Sequence, residues 1–151
     1  MPPLSADEHT TLARWLDFYR DTLARKCAGL DEQQMRTASV APSPLTLLGL
    51  VQHMAEVERN WFRRVLLGAD APPIHDPQAD PTADDGGFDL YPDVTADDAM
   101  AVWRREVDRS RADCADRALD TTSPFLQGEV TLRWIYTHMI GESRGTAATP
   151  T

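Results

Sequence analysis

The stretch Pro44–Leu67, PLTLLGLVQHMAEVERNWFRRVLL, decides the fold. Leu47, Leu50, Val51, Met54, Val57, Trp61, Phe62 and Val65 recur at intervals of three and four, which is the period of one buried helical face. Ser43 can cap the start, with Pro44 at the first helical position, where a missing N–H costs nothing. Gly68 follows the last apolar residue and predicts the stop. His53 falls on the flank of this stripe, one turn after Gly49 and one turn before Val57. There it points toward a seam between helices while keeping a polar edge.

Outward from that helix, the chain reads as more of the same. Ser5 and Glu8 form a capping box that opens a first helix, with a stripe of Leu12, Trp15, Leu16, Tyr19, Leu23 and Cys27 that ends at Gly29. Leu30–Met35 reads as a short helical turn capped by Asp31. Thr95 and Asp98 cap a third long helix that carries Met100, Trp103, Val107 and Cys114, with Leu119 near its end. Asp120–Gly128 reads as a turn containing Pro124, and a fourth helix opens near Thr131 with Leu132, Ile135 and Met139 inward. With no strand pattern and no repeat, residues 1–151 are expected to be one all-α bundle domain.

The net charge of −9 has a location. Nine Asp and no Lys, Arg or Glu lie between Asp70 and Asp98, so the rest of the chain carries 15 acids against 15 bases. Five prolines and Gly86-Gly87 in the same stretch predict an irregular acidic connection between the second and third helices. Asp80, Asp84 and Asp85 do not follow the spacing of an EF-hand loop, which excludes that calcium site. No basic stripe exists to neutralise phosphates, so no nucleic-acid partner is expected. No apolar run reaches spanning length and MPPLSADEHT lacks a signal-peptide layout, so no membrane is expected either. Cys27 and Cys114 lack metal-site spacing and read as buried free thiols in a reducing, cytoplasmic setting.

His138 and Glu142 share the inward face of the fourth helix, one turn apart. With His53 they form the one set of imidazoles and carboxylate that facing helices can bring together. Such a set suits zinc, nickel, iron or manganese. Each residue also has a plainer explanation, a hydrogen-bonded core histidine or a solvated helix-end glutamate. His9 and His75 read as surface residues.

LLGLVQHMAEVERNWFRRVLLG, preceded by WLDFYRDTLARKCAGL and followed near the end by LRWIYTHMIGE, closely resembles the DinB-like metal-binding bundles. The nearest branch is the group related to mycothiol-dependent maleylpyruvate isomerase. The likeness covers roughly Leu12–Gly68 and Thr131–Glu142, and not the acidic loop. It implies an up-down-down-up four-helix bundle with a divalent ion, zinc or nickel, at one end. The ion would activate a low-molecular-weight thiol toward a small-molecule electrophile. By resemblance His53 is the first ligand and Glu142 the second, with His138 a replacement ligand or a group that orients them. The branch supplies a histidine four residues after that glutamate, where this chain has Thr146.

The tail departs as a whole. Relatives continue past Glu142 close to Ala-Arg-His-Asn/Ser-Gly-His-Ala-Asp, whereas this chain reads SRGTAATPT. The codons of Gly145–Thr151, displaced by two bases, can read His-Ser-Gly-His-Ala-Asp, which points to a frameshift near codon 143. Gly141, Gly145 and Pro150 oppose helix, so residues 143–151 are expected to be irregular and the fourth helix truncated. Apolar side chains left uncovered at that end could be covered by homodimerisation. Two readings follow: a metal- and thiol-dependent transferase or isomerase, or a non-catalytic bundle that has lost its third ligand.

Overall fold

Four long helices carry the chain in a computed structural model that describes residues 1–38, 45–75 and 90–148. The predicted Ser43–Pro44 start, the Asp80–Asp85 cluster and the last three residues lie outside the described residues.

The first helix, α1, spans Glu8–Cys27. Its cap is Asp7 rather than Ser5, because the Asp7 carboxylate accepts from both the backbone N–H (2.9 Å) and the hydroxyl (2.6 Å) of Thr10. Gly29, at φ +79°, turns the chain out of it. A single turn, α2 (Glu32–Met35), follows with the expected Asp31 cap, completed by Gln34 as a capping box.

The organising helix divides in two. Its α-helical part, α3, spans Leu47–Glu58 and is capped by Thr46, whose hydroxyl accepts from Gly49 N–H at 3.0 Å. Arg59–Val65 then winds as a π-helix, with Leu66 N–H donating to Trp61 O at 3.0 Å. Gly68, at φ +61°, ends it where the sequence predicts.

The third long helix, α4 (Ala96–Cys114), starts at the predicted Thr95–Asp98 box. The stretch between Asp120 and Gly128 is not merely a turn. Thr122–Phe125 (β1) and Gly128–Thr131 (β2) pair antiparallel in the register Thr122↔Thr131 to Phe125↔Gly128. Pro124 and a Leu126-Gln127 turn without glycine conceal this hairpin in the sequence. It is anchored by Ser123, whose hydroxyl donates to Leu66 O at 2.7 Å. The loop before it accepts from the first N–H groups of the last helix, Leu132 N–H to Thr121 O and Arg133 N–H to Leu119 O, both 3.0 Å.

That last helix, α5, runs Leu132–Ala148, through the segment expected to be irregular. Thr146 explains the difference. Its hydroxyl donates back to Glu142 O at 3.0 Å and lies 3.4 Å from Met54 Sδ, buried against α3. Tertiary packing of this kind outweighs the helix-opposing glycines.

Contacts set the relative directions. His9 and Tyr136 meet near the starts of α1 and α5, while Asp17 of α1 meets Arg111 near the end of α4. On the other side, Met54 meets Thr146 and Trp61 meets Trp134, so α3 runs against α5. The core follows the predicted stripes for Leu16, Leu23, Met54, Phe62, Trp103, Leu132, Ile135 and Met139. It departs at Trp15, which is 38 % exposed, and at Arg20 and Glu58, which are buried.

Arg20 and Glu58 form a two-pronged pair, Nε–Oε1 and Nη2–Oε2 both 2.7 Å. Ser110 Oγ lies 3.0 Å from Arg20 Nη2 and 3.0 Å from Glu58 Oε2, and Asp17 takes Arg20 Nη1 at 3.1 Å. Removing one partner strands a charge in the core, so Arg20→Met or Glu58→Gln alone is expected to cost about 3–5 kcal/mol in denaturant unfolding. The double change to apolar residues should recover most of that. Single variants within ~1 kcal/mol of the parent would show that the pair is not isolated from water.

Candidate functional site

The three predicted residues lie on α3 and α5, and the two on α5 meet each other. His138 Nε2 is 3.8 Å from Glu142 Oε1, one turn apart on α5. The His138 ring is packed between two indoles, parallel to Trp134 (5.0 Å between centroids, 7° between planes) and tilted on Trp61 at 4.6 Å. His53 is buried on α3, next to the Met54 that meets Thr146. Trp61, which meets the His138 ring, lies eight residues beyond His53, roughly two helical turns.

The donors do not fit a complete metal centre. Among the described residues no three His, Cys, Asp or Glu side chains are grouped so as to hold an ion. His138 is turned to the tryptophans. Thr146, which sits where the resemblance asks for a histidine, is near α3 but spends its hydroxyl on Glu142 O.

Several polar groups beside this region escape a reading by residue type. Gln52, immediately before His53, is fully buried, and neither amide atom has a hydrogen-bond partner among the described residues. Ser143 Oγ, immediately after Glu142, is also buried without one. The Trp61–Trp134–Phe125 cluster around His138 is missed as well. The Trp134/His138 spacing of four is its one sequence signal, since residues four apart share a helix face.

The histidines read as surface residues are both engaged. His9 Nε2 donates to Cys114 O at 3.2 Å, and its ring meets Tyr136 edge-on at 5.7 Å. His75 is half-buried and stacks on Tyr91 at 5.3 Å; burial holds its imidazole below the usual range. The chain before His75 is pinned to the organising helix. Ile74 N–H donates to Glu56, Arg59 to Pro72 O and Arg64 to Ala71 O.

Cys27 and Cys114 are free and buried, as expected. Burial pushes each thiol up to about 11. Neither is a nucleophile near neutral pH. No described helix is long and apolar enough to cross a membrane.

With this geometry in hand, comparison with known proteins is specific at the level of family. The model of the mycothiol-S-transferase family, a DinB-like family, matches residues 11–144. The chain belongs to the mycothiol-S-transferase family. The match runs through the acidic connection, which by resemblance alone carries no likeness, and it ends two residues before Thr146. No curated protein and no solved structure matches.

The thiols give a direct prediction. A neutral thiol favoured by the fold contributes stability that is complete below the ordinary value of 9.0 and is lost as pH rises toward about 11. Unfolding free energy should therefore decline across that window. A thiol reagent at pH 8 should label neither cysteine in the native chain and both in denaturant. Rapid native labelling would contradict the burial described.

Proposed function

We propose that this chain is a thiol-dependent transferase of the mycothiol type, handling a small electrophile along the face shared by α3 and α5. The family match over residues 11–144 carries the reading. The contacts that set helix directions support the up-down-down-up four-helix bundle of DinB-like proteins, with α1 and α5 running against α3 and α4. Two buried, unpaired thiols suit a reducing cytoplasm.

Within that bundle we assign His53, Glu142 and His138 as the residues directed at a divalent ion, zinc or nickel. As the chain stands the set is incomplete. His138 and Glu142 are adjacent on α5, His53 comes from α3, and position 146 offers a hydroxyl already in use. Ordering such a site opposes binding, so the ion is held weakly.

Thr146 favours a second reading, a bundle of this family that no longer catalyses. Its hydroxyl is held by Met54 Sδ and Glu142 O, in a chain that lacks the histidine this position carries in the resembling branch.

One substitution separates these. Thr146→His is expected to bind one zinc or nickel ion per chain at least tenfold more tightly than the parent in calorimetry. It should also melt at a higher temperature with metal than without. Adding His53→Ala should abolish both gains. Equal affinity in parent and Thr146→His would show that position 146 is irrelevant to the ion. Retained gains in the double variant would remove His53 from the set.

A further inference from the structure

A cleft of about 330 Å³ opens where α1 begins and α4 ends, with Tyr136 of α5 in its lining. Small-molecule sites run from about 300 to 1,000 Å³, so this one suits a small ligand. None of His53, His138 and Glu142 lines it. Its apolar surface comes from Ala13, Ala115 and Tyr136. Three guanidiniums also line it, those of Arg14, Arg20 and Arg111, against the single carboxylate of Asp17.

All but one of these charges is met nearby. Arg20 is neutralised by Glu58 through two hydrogen bonds of 2.7 Å. Asp17 accepts from Arg20 Nη1 at 3.1 Å and from Arg111 Nε at 2.9 Å. Arg111 gives Nη1 to Asp108, which does not line the cleft and is 75 % exposed to water. Its Nη2 is unused among the described residues. Arg14 makes no hydrogen bond and no ion pair among the described residues. It lies one helical turn before Asp17, the residue that Arg111 meets, so the two guanidiniums converge on one part of the cleft. At the end of α4 the Cys114 carbonyl is already taken by His9 Nε2, 3.2 Å away. In a chain of net charge −9, the cleft keeps one unanswered positive charge beside apolar surface.

We infer that this cleft binds a small organic monocarboxylate, with its carboxylate on Arg14 and Arg111 Nη2 and its apolar body against Ala13, Ala115 and Tyr136. The site uses none of the residues assigned to the ion, so it stands independently of the transferase reading. A guanidinium fork matches a carboxylate through two parallel N–H···O bonds. Cations are repelled by the three guanidiniums. A dianion such as phosphate finds one unanswered charge and gains nothing from the apolar surface. A neutral molecule of the same shape forgoes the pairing and binds more weakly.

Calorimetry of the whole chain with benzoate, benzamide, benzylamine and inorganic phosphate tests this. Benzoate is expected to bind roughly fivefold more tightly than each of the others, the scale of a partly exposed ion pair. Arg14 is exposed, so Arg14→Gln should keep the parent's melting temperature and lose roughly that fivefold for benzoate, with benzamide unaffected. His53→Ala should bind benzoate as the parent does. Benzamide, benzylamine or phosphate binding as tightly as benzoate would overturn the inference. So would full benzoate affinity in Arg14→Gln, loss of benzoate binding in His53→Ala, or no saturable benzoate binding by the parent.

Discussion

The buried pair of Arg20 and Glu58 is the constraint around which the bundle is assembled. One guanidinium reaches from α1 across to the last residue of α3, and Ser110 of α4 closes the group. Such a pair adds little net stability compared with apolar residues, but removing one partner alone is costly. Its hydrogen bonds join α1, α3 and α4 at one level. Phe62 lies under the same guanidinium at 5.8 Å, so the aromatic core is set by the same residue.

The π-helical stretch begins immediately after Glu58 and has a consequence for the surface. Within it Arg59 and Arg63 both reach the buried Glu106 carboxylate, at 2.6 and 3.2 Å. It also delivers Trp61 to α5 while Phe62 stays in the core. Wide turns of this kind are frequent at functional positions.

Much of this was legible in the sequence. The four helical stripes, the Thr95–Asp98 box and the glycine stops follow from periodicity and capping chemistry. The hairpin was not, because its strands are four residues long and its turn lacks the usual glycine pair. Nor was the π-winding, which leaves the apolar spacing almost unchanged. Arg20, Glu58 and Gln52 escaped because long polar residues are ordinarily exposed, and only a tertiary partner reveals one that is not. Residues His53 and Glu142 could be picked out as candidates by type and face. Assigning them to an ion required the likeness to a family, since either could serve as an ordinary core or helix-end residue. The continuation of α5 through Gly145 was hidden for the opposite reason: local propensity opposes it, and the contact between Thr146 and Met54 overrides propensity.

The central proposal is that this member of the family holds its ion only weakly. Elemental analysis of the parent protein, purified without chelator and then dialysed against metal-free buffer, tests that most directly. The account predicts well under one ion of zinc or nickel per chain after dialysis. A full equivalent, retained through dialysis and removed only with loss of folded structure, would contradict it.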